Sequence, residues 1–387
     1  MAGKRVERTG KSGGGANGGE HRGSFGGSRT RSRVDAGGAH RARRASGPQP
    51  AAGARGRRRK RAALAGPNLA RLKLHSVHDR RHLAQVAAFA GTPEVGVSFA
   101  AWMDSLPAFL GVKRLRAAVA AIVAARRAER PVAMAMGGHV VKVGCGPVVI
   151  DLCRREIVTA VVCHGATAIH DVEIAMIGAT SEDVGDTIRD GRFGMVRETA
   201  EFFAAAAKLA ERSRIGYGRA IGQLVLKRRL AHASRSILAA AAELDLPATV
   251  HVAIGTDTVH MPTMADGALI GRASMADFRL LCGVVHDMGA AGKGGVCGVW
   301  CNVGSAVILP EVFLKTVAVA RNLGAKLDDL TTVNLDMLRQ YRTGQNVVGR
   351  PVNPGHGHDI AGHHEIMLPL LRQAVIEAWS RRTMRRL

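Results

Sequence analysis

The chain has 387 residues, 47% apolar and 22% charged, which allows two to three domains and a sizeable core. No apolar run reaches the ~18 residues that a membrane helix needs, and no apolar leader opens the chain, so it reads as soluble and cytoplasmic. The formal charge of +24 is unevenly spread: residues 1–62 hold 17 Lys and Arg against Glu7, Glu20 and Asp35, with 15 of the 47 glycines.

Residues 1–62 have too little apolar surface to offset the entropy of ordering and read as a disordered basic tail. Its densest part, Arg55–Arg61 (RGRRRKR), is suited to weak contact with nucleic acid. Residues 63–130 read as a helical segment, with apolar positions at helical spacing between Trp102 and Arg127. From residue 131 to 387 short apolar runs alternate with helical patterns. Strands are predicted at Val140–Val143, Val158–Cys163, Pro247–Ile254, Val296–Val303 and Leu330–Leu335. Helices are predicted at Pro147–Arg155, Ile169–Ile177, Glu198–Glu211, Ser234–Leu244, Phe278–Asp287, Pro310–Leu323 and Leu368–Trp379. That alternation is the pattern of an α/β protein, a Rossmann-like doubly wound parallel sheet. Six cysteines without a CxxC pair read as reduced thiols.

Ligands of such sheets sit beyond the carboxyl ends of the strands. Four segments assigned there are polar: His164–Glu173, Gly255–His260 with Ala265–Gly267, Cys301–Ala306, and His356–Glu365. No P-loop, strict G-x-G-x-x-G or G-x-S-x-G motif is present, which excludes a P-loop NTPase and makes Ser305 a poor hydrolase nucleophile. The C-terminal histidines His356, His358, His363 and His364 suit a metal by residue type but not by spacing, so no metal is expected. Lys142 falls inside the Val140–Val143 pattern, either reaching out to the sheet edge or held there for chemistry. Ser181–Val184 reads as a capped helix start that could also meet a cationic substrate.

Three segments resemble the deoxyhypusine synthase-like NAD-binding family: Gly165–Asp171, Ala265–Ala268, and Glu365–Leu371 with its Pro-Leu-Leu run. The family's lysine nucleophile is replaced by Leu309 in Val303–Leu309, and its Asp before the last helix by His363, so transfer through a lysine imine is not expected. Ala168–Glu173 (AIHDVE) also resembles the LOR/SDH domain of saccharopine dehydrogenase and ornithine cyclodeaminase enzymes. The two resemblances imply NAD as cofactor, a homo-oligomer, and hydride chemistry on the C–N bond of an amine or amino acid. Together with the polar strand ends, they make Gly165, Ala166, Asp171, Asp266, Gly267, Asn302, Gly304 and Ser305 candidates for contact with the cofactor, and Asp257, Glu173, His363 and His364 candidates for contact with the substrate. His170, His260 and Lys142 are the catalytic candidates, since imidazoles titrate near neutrality. The alternative is a non-catalytic protein that binds NAD or nucleic acid.

Overall fold

The computed structural model describes residues 66–289 and 295–383, so the readings of residues 1–62 and of the glycine turn near Gly292 lie outside the described residues. The chain divides into two units, Met1–Ser76 and Val77–Leu387. The described part of the first holds one 3-10 turn, Leu69–Arg71, opened by Asn68, whose side chain accepts the Ala70 N–H.

In the second unit α1 (Phe99–Ser105) and α2 (Leu110–Arg127) lead into β1 (Val132–Met136), α3 (Gly138–Lys142) and α4 (Gly146–Arg154). Next come β2 (Ala160–His164), α5 (Gly165–Ile177), α6 (Val184–Thr187), α7 (Arg197–Ser213), α8 (Tyr217–Lys227) and α9 (Ile237–Glu243). The rest is β3 (Ala248–His251), α10 (Gly267–Asp287), β4 (Val299–Val303), α11 (Ile308–Asn322), β5 (Thr331–Asp336), α12 (Tyr341–Thr343), β6 (Gly357–Ala361) and α13 (His364–Thr383). The six strands are all parallel, in the order β3-β2-β1-β4-β5-β6. The sheet therefore grows outward in both directions from β1 and β4, the doubly wound arrangement with its switch point between those strands.

Strand periodicity divides the core in two. Val132, Met134 and Met136 of β1 point into one apolar cluster with α2, α4, α5 and α7–α9, while Ala133 and Ala135 point into the other. In that second cluster Trp300 of β4 stacks on Phe313 of α11 at 4.2 Å, beside small Ala133. Burial on both faces explains why β1 and β4 are almost wholly apolar, Asn302 being the exception.

The expected strand at Val140–Val143 is instead helix α3, and the first strand lies upstream at Val132–Met136. Its sequence, VAMAM, is poor in β-branched residues and becomes a strand by central burial, while VVKV has strand-like composition but follows the Gly137-Gly138 break. Helix α8 escapes a sequence reading because of Gly218 and Gly222. A Cβ at these positions would fall 2.4 Å from the Ala248 carbonyl oxygen and 2.2 Å from that of Leu238, so the glycines are close-packing points, not breaks. Ser181 is not the expected cap: Asp183 caps α6 by accepting the Gly185 N–H. Gly357–Asp359 lie within β6 and His356 precedes it, so these residues sit at the opposite end of that strand from Gly362–Glu365.

The outer strand β3 would expose unpaired backbone groups, a liability that α10 covers. Asp277 accepts the Val250 and Gly218 N–H groups through Oδ2 (2.8 and 2.9 Å), and Ser274 Oγ donates to the Val250 carbonyl. Burial pushes the Asp277 carboxyl up to about 7, against hydrogen bonds from Val250, Gly218 and Tyr217. A carboxyl whose folded-state pKa is raised favours the fold at low pH, and that contribution is lost as pH rises from about 4 through about 7. Urea unfolding of wild type and Asp277→Asn should therefore show wild type losing stability relative to the variant across this window. A difference independent of pH would contradict the assignment.

Candidate functional site

A cavity of about 600 Å³ opens beside the carboxyl ends of β2 and β3, between α3, α5, the 179–184 loop, the start of α7 and Thr256–Thr258. Ile169, Met176, Val184 and Phe193 give it apolar walls. Its ionisable side chains are four carboxylates, Glu173, Glu182, Glu198 and Asp257, against Lys142 and His170.

Helix α5 supplies most of this floor, and it starts directly at the end of β2 with no intervening loop. Thr167 Oγ donates to the Met136 carbonyl (2.7 Å), tying the first turn of α5 to the end of β1. Asp171, one turn on and 1% exposed, accepts Ser236 Oγ, Ile237 N and Leu238 N at 2.6–3.1 Å, and so holds the first turn of α9. Burial pushes its carboxyl up to about 6 despite these bonds. His170 and Glu173 lie on the cavity side of the same helix.

The helix ends at Gly178, whose left-handed conformation (φ 72°) turns the chain back. Thr180 thereby returns to the face of α5. Its hydroxyl donates to Glu173 Oε2 (2.5 Å) and lies 2.7 Å from His170 Nδ1. Thr199 Oγ donates to the other Glu173 oxygen. Burial raises the Glu173 pKa, but the hydrogen bonds and the nearby imidazole outweigh it and hold the group below the usual glutamate range.

Asp257 is 7% exposed, and its Oδ2 has no hydrogen-bond partner among the described residues. A Cβ on residue 165 would fall 1.8 Å from that oxygen, so glycine at the start of α5 makes room for the carboxylate. His260 Nε2 stands 3.8 Å away, and its Nδ1 accepts the Gly255 N–H. Burial raises the Asp257 pKa, with His260 and Thr256 working against it. His164, at the end of β2, is lowered to about 4 by burial and by His170, and stays neutral.

The structure thus brings His170, Lys142, Glu173, Asp257 and Ala166 into one cavity, with His260 against Asp257. Lys142 reaches it from α3, not from a strand. His363 and His364 do not line it. His363 is exposed near Glu365, and His364 is buried, with Nδ1 3.0 Å from His139 Nδ1 and Nε2 3.3 Å from the Leu335 carbonyl. Among the described residues no three His, Cys, Asp or Glu side chains are grouped to hold a metal ion.

The eight residues named for NAD are spread over several elements. Only Ala166 lines the cavity. Asp171 holds α9, and Asp266 caps α10 through the Ala268 and Leu269 N–H groups, with Gly267 as that helix's first residue. Asn302 Nδ2 bonds Asn334 and the Ser305 carbonyl, while Ser305 Oγ accepts the Leu309 N–H. At the switch point a Cβ on Gly137 would fall 1.9 Å from the Gly304 carbonyl oxygen, and one on Gly304 2.9 Å from the His364 ring. These glycines are required by neighbouring protein atoms, and Gly165 by Asp257. Sequence reasoning does not find Thr180, Thr199 or His139. The one signal for Thr180 is Gly178, placed where α5 must end and the chain reverse.

No family model and no curated protein matches the chain. Solved structures resemble it distantly. A conserved Methanococcus maripaludis protein assigned to LOR/SDH is 15% identical over 69% of each chain, with a TM-score of 0.43. AgrE, in its ternary complex with ornithine and NAD+, is 14% identical over 70% of this chain and 34% of its own, with a TM-score of 0.42. An Entamoeba histolytica protein assigned as a deoxyhypusine synthase is 10% identical over 73% of this chain and 94% of its own, at 0.40.

The bonding of Asp171 makes a direct prediction. Asp171→Ala removes the acceptor for three buried donors and should destabilise the protein by about 2–4 kcal/mol. Urea unfolding checks this, and a loss below about 1 kcal/mol would mean that α9 is held by other contacts.

Proposed function

We propose that the chain is an enzyme that binds a cationic amine or basic amino acid in the acidic cavity and acts at its C–N bond. The observation that carries this is the cavity lining: four carboxylates, Glu173, Glu182, Glu198 and the buried Asp257, stand against one lysine and one histidine. A cleft lined mostly by carboxylates attracts a cation, and an ammonium group would supply it. The apolar walls suit an alkyl chain between charged ends.

In this reading Asp257 and Glu173 hold the ammonium, and His170 takes a proton from it. Chemistry that uses the nitrogen lone pair needs this step first. Lys142, at the cavity lining, suits the carboxylate of an amino-acid substrate. NAD enters the proposal from the sequence resemblance alone. Bound, it would accept or return a hydride.

Isothermal titration with 1,4-diaminobutane and L-ornithine tests the reading, with glutarate as the anionic control. The cations should bind and glutarate should not, and Asp257→Asn should weaken the cations at least tenfold, since it removes the charge that pairs them. Equal affinity for glutarate, or no effect of Asp257→Asn, would contradict it. Thermal unfolding with and without NAD tests the cofactor separately, a raised midpoint being the expected result.

A further inference from the structure

The hydrogen-bond directions around Thr180 fix more than its position. A threonine hydroxyl has one proton, and here it is given to Glu173, a carboxylate held in its ionised form. The Thr180 oxygen can then only accept from His170 Nδ1, 2.7 Å away. We infer that Thr180 is a positioning residue that locks His170 in its Nδ1–H tautomer, so that Nε2 carries the lone pair presented to the cavity. The inference rests on the proposed role of His170 as proton acceptor and says how that role is set up.

The arrangement is a carboxylate–histidine pair with a hydroxyl inserted between the partners. Glu173 Oε2 stands 3.9 Å from His170 Nδ1, too far for a direct hydrogen bond, and the Thr180 oxygen bridges the gap. When Nε2 takes a proton from a bound ammonium, Nδ1 keeps its own, and the imidazolium is stabilised by Glu173 through the bridge. One proton moves, and no oxidant or reductant is needed. The backbone makes room for this ring: a Cβ at Gly138 would come within 3.0 Å of His170 Cδ2. Thr180 in turn depends on the left-handed turn at Gly178, so the bridge is built by the way α5 ends.

The test is nitrogen-15 NMR of the histidine rings in the full chain, at a pH of about 8 where imidazoles are neutral. Loss of one spin system in His170→Gln assigns the signal. Wild type and Thr180→Ser should both show His170 protonated mainly at Nδ1. Thr180→Val, which cannot accept, and Glu173→Ala, which frees the hydroxyl to donate to Nδ1, should both shift it mainly to Nε2–H. An Nε2–H majority in wild type or in Thr180→Ser overturns the inference, as does an Nδ1–H majority retained in Thr180→Val. If the valine variant fails to fold, wild type and the serine variant still decide. No substrate is present, so failure of the bridge leaves amine binding untouched, and failure of amine binding leaves the tautomer to be read.

Discussion

Helix α5 can carry the site only because its opposite side is anchored by a buried carboxylate. Asp171 faces the interior, 1% exposed, and satisfies three donors at the start of α9. Breaking that set would leave a buried charge and unpaired N–H groups together, so α5 and α9 are tied to one another. Thr167 fastens the same helix to β1. With rotation about its axis removed, the alternate side of α5 holds His170 and Glu173 at constant depth in the cavity. Precision at the site therefore comes from interactions one side chain away from it.

Three buried aspartates in this fold show how context separates structural from functional charge. Asp171 and Asp277 are both tied to backbone N–H groups and both raised by burial. Among the described residues one Asp277 oxygen also has no partner, but Asp277 does not line the acidic cavity and accepts two N–H bonds through its other oxygen. Asp257 accepts no backbone N–H among the described bonds and borders a space large enough for a ligand of several heavy atoms. With it the cavity has four carboxylates against one lysine, an imbalance that a cation would reduce. Places where a sequence departs from self-sufficient bonding are where function is expected.

Much of the fold is legible in the sequence. A continuous apolar run identifies β2, and β4 and β5 are legible from their Val, Trp, Thr and Leu content despite Asn302 and Asn334. VAMAM escapes notice because alanine and methionine carry no strand signature, and β6 because an edge strand such as GHDIA is half exposed and polar. At the site, His170, Glu173 and Asp257 are visible as polar residues just past strand ends. The roles of Gly165, Gly304 and Asp171 are not, since a glycine that admits a cofactor and one that admits a neighbouring carboxylate or imidazole look alike in sequence. Thr180 is hidden for a different reason: its function depends on a chain reversal that brings residues seven and ten positions apart together.

The most direct measurement is a crystal structure of the protein soaked with 1,4-diaminobutane. An amine nitrogen within about 3 Å of Asp257 Oδ2, with the chain along the apolar wall, is the predicted result. Diamine bound only outside the cavity, or an ordered water satisfying Asp257 Oδ2 while the cavity holds no diamine, would contradict the account.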